Sequence, residues 1–206
     1  MSQFFVIHPE NPQARLIKQA ADILRNGGVI AYPTDTAYAI GCMMGDKHGI
    51  DRIRRIRQID EKHNLTLVCR DLSDLSVFAK VDNVAFRLIK NNTPGPYTFI
   101  LEATREVPRR MLHPKKRTIG LRVLGNQIAA DLLQELGEPM LSASLIMPNE
   151  DAPLADPYYI RDLLENDLDL IIDGGFCGFQ ESTVVSLLDG VPEVIREGAG
   201  DPTPFL

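Results

Sequence analysis

The sequence predicts a single α/β domain over residues 1–206, with a twisted sheet of mixed parallel and antiparallel strands flanked by helices. Three observations predict it. Short apolar runs of strand type alternate with punctuated helical segments along most of the chain. The last three strand runs follow one another without a helix between them, so part of the sheet must be antiparallel. A length of 206 residues suits one such domain and its core.

The elements follow in order. "QFFVI" opens the chain as a short strand. "NPQARLIKQAADILRNGG" reads as a helix with Asn11 as N-cap, Pro12 at the first helical position and Gly27 or Gly28 past its end. "VIAYP" is a buried strand, and "TAYAIGC" continues as another. Asp46 is placed to cap a helix over 47–57. "LTLVCR" is a strand; Asp71 and Asp82 then open two short helices. "PYTFILEA" and "TIGLRV" are strands, and "NQIAADLLQELG" is a helix ending at Gly137. "MLSAS" is a strand, and "DPYYIRDLLEN" is a helix capped by Asp156 with Pro157 behind it. "LDLIID", "TVVSLLD" and "EVIRE" close the chain.

Several classes are set aside by what is missing. No apolar run approaches the ~20 residues of a membrane span, and no secretory pattern opens the chain. Cys42, Cys69 and Cys177 are isolated and odd in number, which suits reduced thiols in a cytoplasmic protein. There is no phosphate-binding GxxxxGK[ST] loop, no GxGxxG after a strand, no metal-ligand spacing and no GxSxG.

Charge is more informative. The formal net charge is -6, yet residues 1–149 hold 20 Lys and Arg against 15 Asp and Glu, and residues 150–206 hold 2 against 13. Ten of the 22 cations fall in two segments, 52–57 and 105–117. Arg52, Arg54, Arg109, Arg110, Lys115, Lys116 and Arg117 are the candidates for contact with a polyanion such as RNA; a solvated face accounts for either segment equally well. On a helical wheel Ile50, Ile53 and Ile56 fall within about 120° and form a core stripe, and Arg57 lies inside it. An arginine there either snorkels to solvent or faces an anion. Arg55 and Arg57 diverge by about 200° if both are helical. They converge on one anion only if the helix frays near residue 56.

Hydroxyls gather at strand ends: Thr34 and Thr36 around Asp35, Ser142 and Ser144, Ser182 and Thr183. Arg122 and Arg196 lie within strands. Together these make a phosphate- or carboxylate-binding set at the strand ends of an α/β sheet. Taken singly, each suits an ordinary turn.

The ordered pieces "GGVIAYPTDTAYAIG", "IRRIRQ", "NNTPGPYTFIL", "IGLRV", "EPMLSAS", "IIDGG", "STVVSLL" and "VIREG" resemble the YrdC/YciO family over nearly the whole chain. The ending "GAGDPTPFL" looks most like the YciO branch. The resemblance implies a YrdC-like fold and a nucleotidyltransferase-type reaction. In that reaction threonine, bicarbonate and ATP, with Mg²⁺ on its phosphates, become L-threonylcarbamoyl-adenylate for tRNA modification with partner proteins. It also implies double-stranded RNA or tRNA binding as an alternative role.

Carried over by position, the family's Lys-x-Arg becomes Arg55-Ile56-Arg57, the catalytic pair. Its threonine turn supplies Thr34, followed by Tyr38. Its strand arginine is Arg122, its Ser-x-Asn becomes Ser144-Leu145-Ile146, and Ser182 with Arg196 faces the nucleotide. Ile146 replaces an asparagine, a change worth about 1.5–3 kcal/mol if an amide bond to a charged group is lost. Leu124 and Ala39 stand where many members have proline and glycine.

Overall fold

Helix ends are set by short polar side chains. In the computed structural model, which describes residues 1–206, Asp46, Asp71, Asp82, Asn126 and Asp156 each accept a backbone N–H of the first helical turn. The helices they open are α2 (Lys47–Arg57), α3 (Leu72–Phe78), α4 (Asn83–Asn91), α5 (Gln127–Leu136) and α6 (Pro157–Leu164). The first helix, α1 (Ala14–Arg25), departs from expectation. It starts after Gln13, with no side-chain cap. The His8 imidazole accepts the N–H groups of Glu10 and Asn11, and the Gln13 amide oxygen accepts that of His8. Asn11 and Pro12 are spent on that turn rather than on the helix.

The strands are β1 (Gln3–Val6), β2 (Ile30–Tyr32), β3 (Ala39–Met43), β4 (Thr66–Cys69), β5 (Tyr97–Glu102), β6 (Thr118–Val123), β7 (Met140–Ser144), β8 (Leu170–Asp173), β9 (Thr183–Ser186) and β10 (Glu193–Arg196). All ten join one sheet in the order β1-β8-β2-β3-β7-β4-β6-β5-β9-β10. The sheet is mixed: β8 runs parallel to β1 and β2, β4 to β6 and β5 to β9, and the remaining neighbours are antiparallel. The three closing strands do not pack as one unit. β8 lies between β1 and β2, whereas β9 and β10 form the far edge, so residues 174–182 cross from one half of the sheet to the other.

The two faces are covered unequally. α2, α3, α4 and α6 bury their apolar stripes in a cluster of 34 residues on one face, and α1 and α5 build a cluster of only 18 on the other. That smaller cluster sets Ile17, Leu24, Ile128 and Leu132 against Tyr32, Val68, Met140, Leu170 and Ile172. The rest of the same face carries small or hydroxyl side chains at alternate positions: Thr66, Thr98, Gly120 and Ser142. Small polar residues cannot hold a helix by burial, and this half of the face stays open. No helix is long and apolar enough to cross a membrane. Cys42, Cys69 and Cys177 are free thiols, the first two buried.

The end of the chain closes the opposite face. Phe205, 3% exposed, sets its ring 5.4 Å from that of Tyr97 and 5.9 Å from that of Phe99. The Tyr97 hydroxyl donates to the Asp201 carbonyl at 3.1 Å. Gly200 lies so close to the Tyr97 ring that a Cβ would come within 2.4 Å of it. Phe205→Ala is therefore expected to destabilise the fold by about 3–5 kcal/mol, read as a lower urea midpoint with an unchanged slope. A change near zero would mean that the terminal turn does not pack on β5.

Candidate anion-binding cleft

The open half of the sheet forms a cleft of about 530 Å³. Its floor is a row of cross-strand neighbours, Ser142 on β7, Thr66 on β4 and Gly120 on β6. A Cβ on Gly120 would stand 3.1 Å from Thr98 Cγ2 and 3.4 Å from Thr66 Oγ1, so glycine keeps the floor low. Ser142 is tied down: its hydroxyl shares a 2.6 Å bond with the Tyr32 hydroxyl, and burial pushes the Tyr32 phenol up to about 12.

Arg122 rises from the next row, beside Val68. It is 6% exposed. Its Nη2 donates to Asp35 Oδ1 at 2.6 Å, and Asp35 Oδ2 accepts the N–H of Gly125 at 2.8 Å. Burial lowers the pKa of Arg122, opposed by the Asp35 charge, and its Nε has no partner. That Nε is sealed from solvent, so what Arg122 offers the cleft is a fixed positive charge rather than a free N–H.

The rim brings in loops and a helix end. Arg57, the last residue of α2, donates from Nε to the Ile146 carbonyl at 2.9 Å. Burial lowers its pKa and the Glu181 charge opposes that shift. Lys62, His63 and Asn64 follow in the next loop. Burial, then the Arg57 charge, depress the His63 imidazole below its ordinary value, which favours its neutral form. On the opposite rim the Ser182 hydroxyl shares a 2.6 Å bond with Thr98. Arg196 donates from Nε and Nη2 to the Ser182 carbonyl, and its Nη1 lies 2.9 Å from Glu181 Oε2.

Of the residues expected at the site, Arg57, Arg122, Ser144, Ser182 and Arg196 do line the cleft. Three do not. The Thr34 hydroxyl accepts the N–H groups of Thr36 and Ala37 and bonds the Ala37 carbonyl, so it closes its own turn. The Tyr38 hydroxyl, fully buried, donates to the Gly175 carbonyl and accepts the Gly174 N–H, pinning the loop after β8. Arg55 is exposed on the outer side of α2. The helix does not fray at 55–57: it runs through Arg57 and stops at Gln58, whose φ of 51° is left-handed and lets the N–H groups of Gln58 and Ile59 return to Arg55 and Arg54. Arg55 and Arg57 therefore stay divergent. Ile146 acts through its carbonyl on Arg57.

The basic segments also separate. Arg52 is committed to Asp169 at 2.7 Å and to the Asp167 carbonyl, and so joins α2 to the turn before β8 rather than facing a partner. Arg54 bonds the Arg110 carbonyl. Arg109, Arg110, Lys115, Lys116 and Arg117 are exposed and pair with no carboxylate.

Sequence reading missed Thr66, Thr98 and Gly120, although a signal was there. In "LTLV", "YTFI" and "IGLR" a small residue sits between large apolar ones, at strand period, in three separate strands. Lys62, His63 and Glu181 carry no such signal.

A family model for the Sua5, YciO and YrdC proteins, described as telomere recombination, matches residues 22–198. The chain belongs to this family. The YciO protein of Escherichia coli is 60% identical over the whole of both chains, and its crystal structure matches with a TM-score of 0.97. A threonylcarbamoyl-AMP synthase of Chromobacterium violaceum is 35% identical over 66% of this chain and 70% of its own. The crystal structure of Pyrococcus abyssi Sua5 complexed with L-threonine is 26% identical, with a TM-score of 0.88 over 96% of this chain and 58% of that one.

The buried pair gives a test of the site's frame. Asp35→Asn leaves Arg122 buried without a counter-charge and is expected to cost about 3–5 kcal/mol. Adding Arg122→Met should recover most of that loss in a double-mutant cycle by chemical unfolding. Additive losses would show that the two side chains are not coupled.

Proposed function

We propose that the cleft binds ATP and L-threonine and forms L-threonylcarbamoyl-adenylate, or a close analogue, from threonine, bicarbonate and ATP. One observation carries the reading. A floor of small and hydroxyl residues lies under cations from separate elements, Arg57, Lys62 and Arg122, in a fold shared with a threonine-complexed relative.

That arrangement suits the chemistry. The threonine amine captures the carbon of bicarbonate with loss of water, giving a carbamate. A carbamate oxygen then attacks the α-phosphorus, and the bond to the bridging oxygen breaks as pyrophosphate leaves. No side chain need form a covalent bond. What the reaction asks for is alignment of two anions and neutralisation of the charge that moves onto pyrophosphate. Arg57 turns its two terminal nitrogens, which have no protein partner, to this task. Arg122 supplies a fixed charge below the reacting groups.

The chain holds no group of three or more His, Cys, Asp or Glu that could bind a metal ion. Mg²⁺ is accordingly read as part of the substrate, carried in on the phosphates of ATP.

Incubating the protein with MgATP, threonine and bicarbonate should release pyrophosphate and yield the adenylate. No turnover above background would remove the synthase reading. Arg57→Ala should weaken ATP or threonine binding by roughly 10- to 100-fold, and unchanged affinity for both would remove Arg57 from the site.

A second reading has one observation behind it. The six cations of 105–117 have no carboxylate partner, which suits the phosphates of tRNA or duplex RNA. On this reading affinity for duplex RNA falls steeply with salt, and the joint change of Arg109, Lys115 and Arg117 to alanine flattens that slope. Binding that is insensitive to salt would sink it.

A further inference from the structure

Among the charged side chains lining the cleft, Arg57, Lys62, Arg122 and Arg196 are cations and Glu181 is the one carboxylate. ATP, bicarbonate and pyrophosphate are all anions, and a carboxylate on the wall repels each of them. Apart from the Mg²⁺ held by the phosphates of ATP, the one positive group among the substrates is the α-ammonium of threonine. Resting on the reading of the cleft given above, we propose that Glu181 receives the ammonium group of the amino-acid substrate and so selects a zwitterion over a simple acid.

The geometry supports a fixed recognition group. The Glu181 carbonyl accepts the N–H of Ala199 at 2.9 Å. A Cβ on Gly198 would fall 2.3 Å from that carbonyl oxygen and 2.6 Å from the Ser182 carbonyl oxygen, so the two segments meet backbone to backbone and only glycine fits between them. Arg196 spends Nε and Nη2 on the Ser182 carbonyl and Nη1 on Glu181 Oε2. It is a strut for the 181–182 wall rather than a free anion receptor. Glu181 Oε2 is thus oriented, while Oε1 has no partner in the protein and is not sealed from solvent. An accessible, oriented carboxylate oxygen facing a cleft is a fit receptor for an ammonium group. The free cations, Arg57 and Lys62, remain for the substrate's own carboxylate.

Calorimetric titration of the full chain with three probes tests the assignment: L-threonine, 2,3-dihydroxybutanoate (a hydroxyl in place of the ammonium group) and ATP. The wild-type protein should bind L-threonine at least ~10-fold more tightly than the hydroxy acid. Glu181→Gln should weaken L-threonine by about 10- to 100-fold, while affinity for ATP is unchanged or tighter. If wild-type protein binds threonine and ATP but Glu181→Gln binds threonine equally well, the assignment of Glu181 falls and the reading of the cleft stands. If wild-type protein binds neither, that reading fails and the assignment goes with it. Should the variant not fold, the wild-type preference decides alone, and equal binding of the two acids overturns the proposal.

Discussion

The cleft depends on the ion pair between Arg122 and Asp35. Both side chains are buried, at 7% and 10% exposure, so removing either would strand the other as an uncompensated charge. The pair joins β6 to the turn between β2 and β3, and Asp35 extends the link to the N–H of Gly125. Further contacts build on that turn. The Cys177 thiol lies against the Thr34 carbonyl, and Gly178 approaches Thr36 so closely that a Cβ would sit 2.6 Å from its carbonyl oxygen. The crossing segment 174–182 is therefore laid over the turn, and it ends at Glu181 and Ser182 on the cleft wall. One buried charge pair thus sets both the floor and the position of the opposite rim.

The cleft owes its space to uneven cover. α1 and α5 bury one half of a sheet face, and the other half has nothing large enough to attract a helix. Thr66, Thr98, Gly120 and Ser142 contribute little apolar area, and their hydroxyls are better used as hydrogen-bonding partners than sealed in a core. The other face, with its 34-residue cluster, supplies the rigidity that an open face lacks. A sheet left bare over half of one face must find its stability on the other face. The aromatic contacts of Phe205 with Tyr97 and Phe99 belong to that side, directly behind β5.

Much of the fold was legible because its signals are local. Asp46, Asp71, Asp82 and Asp156 act as caps wherever a short carboxylate precedes an apolar stripe. Asn11 failed as a cap because the helix begins only after Gln13, and Asn11 instead lies in a turn whose N–H groups return to His8. Arg57 was legible as an anomaly, a cation inside an apolar stripe, and the tertiary structure accounts for it with a carbonyl from 89 residues away. The backbone partners of Thr34 and Tyr38 were not legible, because a hydroxyl near a strand end looks the same whether it meets a ligand or its own backbone. Arg196 does reach the cleft, with its nitrogens engaged by carbonyl and carboxylate groups of its own chain.

By itself the sequence determined the α/β class, most helix limits, the clustering of cations and the family resemblance, since each is written in neighbouring residues or in ordered short pieces. The tertiary structure alone decided which cations are free. Arg52 and Arg55 lie three residues apart on one helix, yet the first is held by Asp169, 117 residues further on, and the second is exposed. It also decided that Glu181 stands among arginines within the cleft. A charge is used up or left available by what stands opposite it, and the chain brings those partners from far along its length. Residue type fixes the charge, and only folding fixes its partner.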